Sequence, residues 1–468
     1  MARKRWRSLV TGMCLVLPVV VPAASWGGRC ATGLRGDKAG RFETARPLPR
    51  RSALRGVAPV PTRNASTFVT DHFRLLWGDA YDRSDPDWAD ADGNGRPDWV
   101  DETASALEYA YQETVDLGFP APYGVGNYYL DVYFANTGVE VYSTEQGQWV
   151  TVTVDSSYYA YTEIDADYGV AYFVFNDDFS QHADDERSVL RATAAHELFH
   201  AVQRALGYPW DDEEQVSDTR WRNELWWFEA TATWMEEVVT PDVDDYVTYV
   251  QRFLSRPEEP LNSQDGLHEY GAAIFPGFLW LRYGATDLWI DVFSNAFDEG
   301  LESALRTALD VRQGESLEDA VAAFWSLAAH PEDFWPDGEQ FRAPAVPSLA
   351  RAASTLPLSY TSSPSTAPGR FGANLFRLDR APETLGVTFT PVNPATARLA
   401  VSRAGSSEIE VVDAPEGRTD IRVSGEAPAL LAMVNVGESP LDFSLLVEGP
   451  DGGGSGGSGG CFVSALGL

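Results

Sequence analysis

Apolar positions recur at helical spacing through Val189–Leu206, where Val189, Leu190, Leu198, Phe199, Val202 and Leu206 supply a stripe. Asp185 and Glu186 suit the first turn of this helix, and Gly207 stops it. Upstream, Asp101-Glu102-Thr103 cap another helix that runs through Leu117 on Ala106, Leu107, Tyr109, Ala110 and Thr114. Strand-like alternation marks Tyr128–Phe134, Trp149–Val154 and Tyr168–Asn176, the last running into Asp177-Asp178 and the Val189 helix. Trp226–Glu237 is helical, and helices continue at Val243–Leu254, Ala272–Tyr283, Trp289–Phe297, Leu301–Ala308 and Leu317–Ala328. From about Leu356 the period falls to two. Gly372–Leu378, Leu385–Thr390, Ala397–Ser402, Glu408–Val412, Asp420–Ser424, Leu430–Val436 and Leu441–Val447 alternate between Pro-, Gly- and Ser-bearing turns, which predicts a β-sandwich of seven strands. The expected fold class is α+β: a domain over 65–345, beginning near Ser66, and a sandwich over 356–449 that carries no His and reads as accessory.

The flanks differ from these domains. Residues 1–25 have the pattern of a secretory signal: Arg3, Lys4, Arg5 and Arg7, an apolar Leu9–Val21, and small residues at Ala23-Ala24-Ser25. That apolar run is short and interrupted by Pro18, and no other stretch approaches membrane-spanning length. The chain is therefore expected outside the cell, secreted or at the surface, with no transmembrane span in its mature form. Residues 26–64 are rich in Arg, Pro and Gly without periodicity and read as a basic propeptide or linker. Residues 1–63 hold 13 Lys and Arg against 2 Asp and Glu, a balance of +11; the remainder holds 22 against 67, a balance of −45. Such an acidic body, with lysine only at Lys4 and Lys38, excludes nucleic acid and anionic membrane as partners, because both demand a cationic surface. Cys14 lies in the signal, leaving Cys30 and Cys461 at opposite ends, which makes no disulfide framework. Cys30 is open to several readings: an incidental residue of a removed segment, a thiolate capping a metal in a latent precursor, or a lipidation site, for which Arg29 is the wrong neighbour. The tail over 450–468 is a Gly-rich spacer followed by Cys461 and a short apolar end. It looks like a shortened bacterial C-terminal sorting signal without the membrane span and basic cluster, so surface attachment through it is an open expectation.

The chemistry is concentrated in His196-Glu197-Leu198-Phe199-His200. An H-E-x-x-H on a helix places two imidazoles at i and i+4 on one face, where both can bind one zinc, with the intervening Glu beside the water to be activated. The chain has six His, so two at this spacing around a Glu is a specific signal. A catalytic zinc commonly takes three protein ligands and keeps one position open. Glu229, 29 residues after His200 on the next helix, and Glu224, just before it, are both available as the third. At this point the chain resembles the gluzincin metallopeptidases, in which H-E-x-x-H is followed by a helix carrying the third ligand, a Glu. The W-x-x-E-A-x-A-x-W-x-E form of Trp226–Glu236 is similar to secreted metalloproteases of myxobacteria and related predatory bacteria. The resemblance implies Glu229 as the third ligand, Glu197 as general base, and protein or peptide substrates. It also implies a zinc-peptidase catalytic domain with a mixed sheet beside the active-site helix, an edge strand that holds extended substrate, and a helical lower lobe. Val170–Phe175 is the candidate for that edge. Thr233 departs from the pattern of thermolysin-like enzymes, where Asp would stand, so the hydrogen-bond partner of a ligand His is sought in Glu236 or Glu237. A downstream Tyr or His often donates to the oxyanion in zinc peptidases, which makes Tyr270 or His268 candidates.

A second metal motif lies at residues 90–101. Asp90, Asp92 and Asn94 occupy positions 1, 3 and 5 of a calcium-type loop. Gly95 stands at position 6, Arg96 offers its carbonyl at 7, Asp98 stands at 9 and Asp101 at 12, with Glu102 as a substitute for Asp101. Calcium here would be structural. The expected function is a secreted zinc endopeptidase. Two rivals remain: a catalytically silent, calcium-stabilised surface or adhesion protein, and a zinc hydrolase of a non-peptide substrate.

Overall fold

The computed structural model of the chain describes residues 29–30 and 62–449, apart from 144–146, 166–167, 181–184, 208–217, 285, 342–355, 379–382, 407, 414–417 and 423–427. The expected signal at 1–25, nearly all of the lead-in, and the tail at 450–468 with Cys461 lie outside the described residues. The fold is α+β. Among the described residues no helix is long and apolar enough to cross a membrane.

The first sheet has six strands in the order β1 (Arg29–Cys30), β7 (Tyr158–Ile164), β8 (Ala171–Phe175), β4 (Leu130–Phe134), β3 (Phe73–Trp77) and β2 (Ser66–Val69). The central strands β3, β4 and β8 run parallel, whereas β2 is antiparallel to β3 and β7 to β8, with β1 parallel to β7. Parallel strands covered on both faces read as continuous apolar runs, and β3, β4 and β8 are buried at every position. One polar pair interrupts that layer: Arg74 on β3 stands opposite Asp131 on β4, its Nε donating to Oδ1 at 2.7 Å. A small hairpin of β5 (Glu140–Ser143) and β6 (Gln148–Thr151) stands apart from the sheet.

Two expectations about this sheet need correction. Val170–Phe175 was read as an edge, yet β8 lies inside the sheet between β7 and β4. The strand beyond it is β7, which the alternation pattern does not mark because Tyr159, Ala160, Tyr161 and Thr162 are all buried in succession. Within residues 26–64, where no periodicity marks a strand, Arg29 and Cys30 nevertheless pair with β7.

Helices fill the space against this sheet. α1 (Asp98–Asp116) and α3 (Asp218–Val239) flank α2 (Glu186–Ala205), and α2 also touches β7 and β8. Asp185 caps α2 by accepting from the backbone N–H of Ser188, and Gly207 ends it with φ +101°. The region that follows forms a helical lobe, as its periodicity predicts: α4 (Val247–Leu254), α5 (His268–Gly271), α6 (Ile274–Tyr283), α7 (Thr286–Glu299), α8 (Leu301–Gln313) and α9 (Leu317–Ala328).

The C-terminal region is an antiparallel sandwich that, among the described residues, has eight strands where the alternation predicts seven. One sheet orders β10 (Ala373–Leu378), β15 (Ala429–Asn435), β12 (Ala397–Arg403) and β13 (Ile409–Asp413). The other orders β14 (Arg418–Arg422), β11 (Thr384–Pro391), β16 (Phe443–Glu448) and β9 (Leu358–Thr361), the last unmarked in the pattern. Phe376, Leu399, Leu431 and Met433 meet Val387, Phe389, Leu445 and Val447 between the sheets. The opposite face of β10, β12 and β15 carries Ala373, Leu375, Ala400, Ala432 and Val434 into the core shared with the helical lobe, against α9.

The close approach of α6 to α3 is set by Gly277, where a Cβ would stand 2.5 Å from the buried Trp234 ring. Alanine would gain about 0.5–1 kcal/mol of helix propensity, but overpacking a fixed core costs about 1–3 kcal/mol. Gly277→Ala is therefore expected to lower the urea midpoint; an unchanged or raised midpoint would mean that the two helices separate freely.

Candidate metal centre

The helical spacing of α2 puts His196 and His200 on one face, with ring centroids 4.7 Å apart. Glu229 of α3 enters from the facing helix, its Oε2 3.3 Å from His196 Nε2 and 3.7 Å from His200 Nε2. One ligand atom from each of His196, His200 and Glu229 lies within 4.8 Å of the other two, a group able to hold a metal ion. All three residues are buried, as is Glu197.

The protons in this cluster follow from its outer partners. His196 Nδ1 lies 2.7 Å from Glu236 Oε1, and a carboxylate oxygen only accepts, so Nδ1 carries the hydrogen. His200 Nδ1 lies 2.9 Å from Gln203 Oε1. The orientation of that amide is fixed because Gln203 Nε2 donates to Phe228 O and Thr231 Oγ1, both at 3.0 Å. In the neutral imidazoles both Nε2 atoms are then lone pairs, and both point toward a carboxylate oxygen. Glu229 Oε1 adds a buried oxygen with no hydrogen-bond partner. Three electron-rich atoms thus converge in a buried space, and a cation between them satisfies all three.

Glu197 lies beside this group. Thr162 of β7 brings its hydroxyl 2.6 Å from Glu197 Oε2 and 3.0 Å from the Glu197 carbonyl, which fixes the carboxylate against the sheet. The ring of Tyr270 on α5 lies 6.0 Å from that of His196. His268 is directed elsewhere: its Nδ1 is 3.3 Å from Glu259 Oε2 and its ring packs on Phe253. Glu224 is also removed from the centre, because its Oε1 accepts from the backbone N–H of Leu301 at 2.9 Å and caps α8. Of the two candidates for the His partner, Glu236 fills the role. Glu237 instead interacts with Asp337.

Two residues of the site escaped the sequence. Gln203 stands three positions after His200 on the same helix face, so its spacing carried a usable signal. Thr162 carried none, since only the packing of β7 on α2 brings it to Glu197.

In the second motif, Asp90, Asp92 and Asp98 come together with ligand atoms within 4.8 Å of one another. Gly93 and Gly95 take positive φ, +74° and +89°, and let the loop turn back on itself. Asn94 donates its amide to Asp92 Oδ2 and Asp101 Oδ2. Asp101 is paired with Arg96, whose Nε donates to Oδ1 at 2.8 Å, and Glu102 is paired with Arg187 at 3.1 Å. The structure therefore assembles positions 1, 3 and 9 and engages position 12 with a side chain of the loop itself.

No family model and no curated protein matches the chain. Among solved structures it is similar to a family GH115 4-O-methyl-α-glucuronidase with specificity for decorated arabinogalactans, at 11% identity and a TM-score of 0.15. That match covers 57% of this chain and 39% of the other.

The position of Glu237 has a measurable effect. It is 5% exposed, and burial, then the adjacent Asp337 and Asp244, push its carboxyl up to about 9. The folded protein retains a proton that the unfolded chain, with a Glu near 4.3, releases. This contribution is complete below about pH 4 and is lost as pH rises toward 9. Glu237→Gln should raise the melting temperature at pH 8 more than at pH 5; an equal effect at both would place the carboxylate in water.

Proposed function

We propose that the chain is an extracellular zinc-dependent peptidase. The observation that carries this reading is the convergence of His196 Nε2, His200 Nε2 and Glu229 on one point, with both Nδ1 atoms committed to outer partners. Two imidazoles and one carboxylate are the donor set zinc takes in hydrolytic sites. Zinc bound there supplies Lewis acidity, polarising a carbonyl and lowering the pKa of water from 15.7 to about 7.

The side chains then divide the work. Glu236 and Gln203 orient the two imidazoles, and Glu229 adds negative charge. Glu197, steadied through Oε2 by Thr162, takes the proton of the attacking water and delivers it to the leaving amine. Tyr270, beside His196, is the candidate donor to the oxyanion. The secretory pattern of residues 1–25 and the acidic body support an extracellular location, and the loop at residues 90–101 supports a structural calcium.

A second reading is favoured by burial. His196, Glu197 and His200 are each 0% exposed, which suits a hydrolase of a small non-peptide substrate reached through a narrow opening. Casein and a panel of small esters and amides, tested on the same zinc-loaded protein, separate the two.

Purified protein should contain one zinc, and His200→Ala should lose most of it by elemental analysis. Glu197→Gln should keep the metal while peptide hydrolysis falls by about 10²–10⁴-fold. Full zinc content in both His200→Ala and Glu229→Ala would remove the ligand assignment, and undiminished hydrolysis in Glu197→Gln would remove the general base.

Calcium should raise the melting temperature in a concentration-dependent way, since it binds the folded state. Asp92→Ala with Asp98→Ala should abolish that rise and spare zinc. A calcium response that survives both substitutions would locate the ion elsewhere.

A further inference from the structure

A cavity of about 320 Å³ lies where the helical lobe meets the sandwich, a size at the small end of the range for ligand sites. α3, α6, α8 and α9 line it from one side, and the turns carrying Arg370, Phe371 and Glu438 line it from the other. Its floor is apolar: Trp226 and Phe275 are buried with ring centroids 6.3 Å apart, and Leu305 is buried with them. Glu438, which is exposed, marks the rim.

Charge and conformation both single this cavity out. Among its described lining residues the carboxylates of Glu224, Glu302 and Glu438 stand against one guanidinium, that of Arg370. Arg370 bridges Glu302 and Glu438, and its guanidinium carbon lies 4.8 Å from the centroid of the Phe371 ring. The mouth thus already seats one guanidinium between carboxylates and an aromatic face, the surroundings that hold organic cations. Deeper in, Glu224 is 8% exposed; its Oε1 accepts from the Leu301 N–H, and a carboxylate has acceptor capacity beyond one bond. That bond also occupies the leading N–H of α8, which disfavours an anion at the helix end. The wider field agrees, since the chain after residue 63 carries a balance of −45. Phe371 holds φ +56°, which a bulky residue rarely adopts. Its N–H donates to Asn435 O and its carbonyl accepts from Trp325 Nε1, both at 2.7 Å, while the Arg370 carbonyl accepts from the Leu261 N–H at 3.0 Å. Strained residues fixed by their surroundings gather at ligand sites, and a wall set in advance lowers the cost of binding.

We infer that this cavity binds an organic cation, an ammonium or guanidinium on a short apolar stem, with the stem against Trp226 and Phe275 and the charge at Glu224. The site is distinct from the metal centre: Glu224 precedes Glu229 by five residues on α3, roughly 7 Å along the helix axis. It also stands independently of the hydrolase reading. Because its walls come from the lobe and the sandwich together, the bound cation ties the two regions to each other.

The test titrates the full chain by calorimetry with phenethylamine and phenethylguanidine, beside neutral phenylethanol, anionic phenylpropionate and the peptide Gly-Gly-Arg-Gly-Gly. The two small cations should bind one per chain with a Kd on the order of millimolar or tighter, as suits about ten non-hydrogen atoms. They should also raise the melting temperature, because they bind the folded state. The alcohol and the carboxylate should bind at least about 10-fold more weakly. Glu224→Gln keeps an oxygen to cap α8 and should weaken cation binding by about 10-fold. Glu438→Gln, at the exposed rim, should weaken it in the same direction, because Arg370 then turns its charge on the remaining acids. Binding of the peptide as well assigns the cation to a basic side chain of a polypeptide, and binding of the small cations alone assigns it to a free amine or guanidine. Equal affinity for phenylethanol overturns the selection for charge. Cation binding unchanged in both variants, or no saturable binding, overturns the site; if Glu224→Gln does not fold, Glu438→Gln decides alone.

Discussion

Everything in the first domain is arranged around the burial of ionisable groups between α2 and α3. Glu197, Glu229 and Glu236 enter that layer with His196 and His200, and none of the five is more than 6% exposed. Removing charge from water is among the largest penalties in folding, and it is offset only when each group finds a partner of the right sign and direction. The cluster meets that condition at its rim, where Glu236, Gln203 and Thr162 take up the outward-facing atoms. At its centre the facing atoms are all electron-rich, which is the strongest physical support for a cation there. The surrounding aromatic layer, with Trp227, Phe228 and Phe199 packed near Phe293 and Trp289, keeps bulk water from screening these charges.

How much of this was legible varied with the range of the interaction. The His pair with its Glu, the second helix with Glu229, the capped ends of α2 and most sandwich strands are local patterns, and the sequence carries them. Non-local features were hidden. β7 was missed because a strand covered on both sides loses the alternation that identifies it, and with β7 went Thr162. The edge assigned to Val170–Phe175 failed for the same reason, since strand order depends on pairings that no local window contains. Glu224 and Glu229 looked alike as acids near a helix start, and only the cap on α8 separates them. Asp101 matches a loop position by count, and its ion pair with Arg96 of the same loop is a contact that the spacing alone does not announce.

The sandwich changes meaning once α9 is considered. Leu317–Ala328 is buried on almost every side, with Trp325 donating through Nε1 to the Phe371 carbonyl at 2.7 Å and His330 placed 3.2 Å from Ser402 Oγ. A helix that is apolar all round has to be enclosed, and here one wall is the helical lobe while the other is the sheet of β10, β12 and β15. The two regions therefore share the interior on that face of the sheet, while the sandwich keeps a separate core between its two sheets. Calorimetry should find one melting transition for the two regions, since neither can open along α9 without exposing the other. A fragment ending before Leu356 would carry an open apolar trench along α9 and would associate through it.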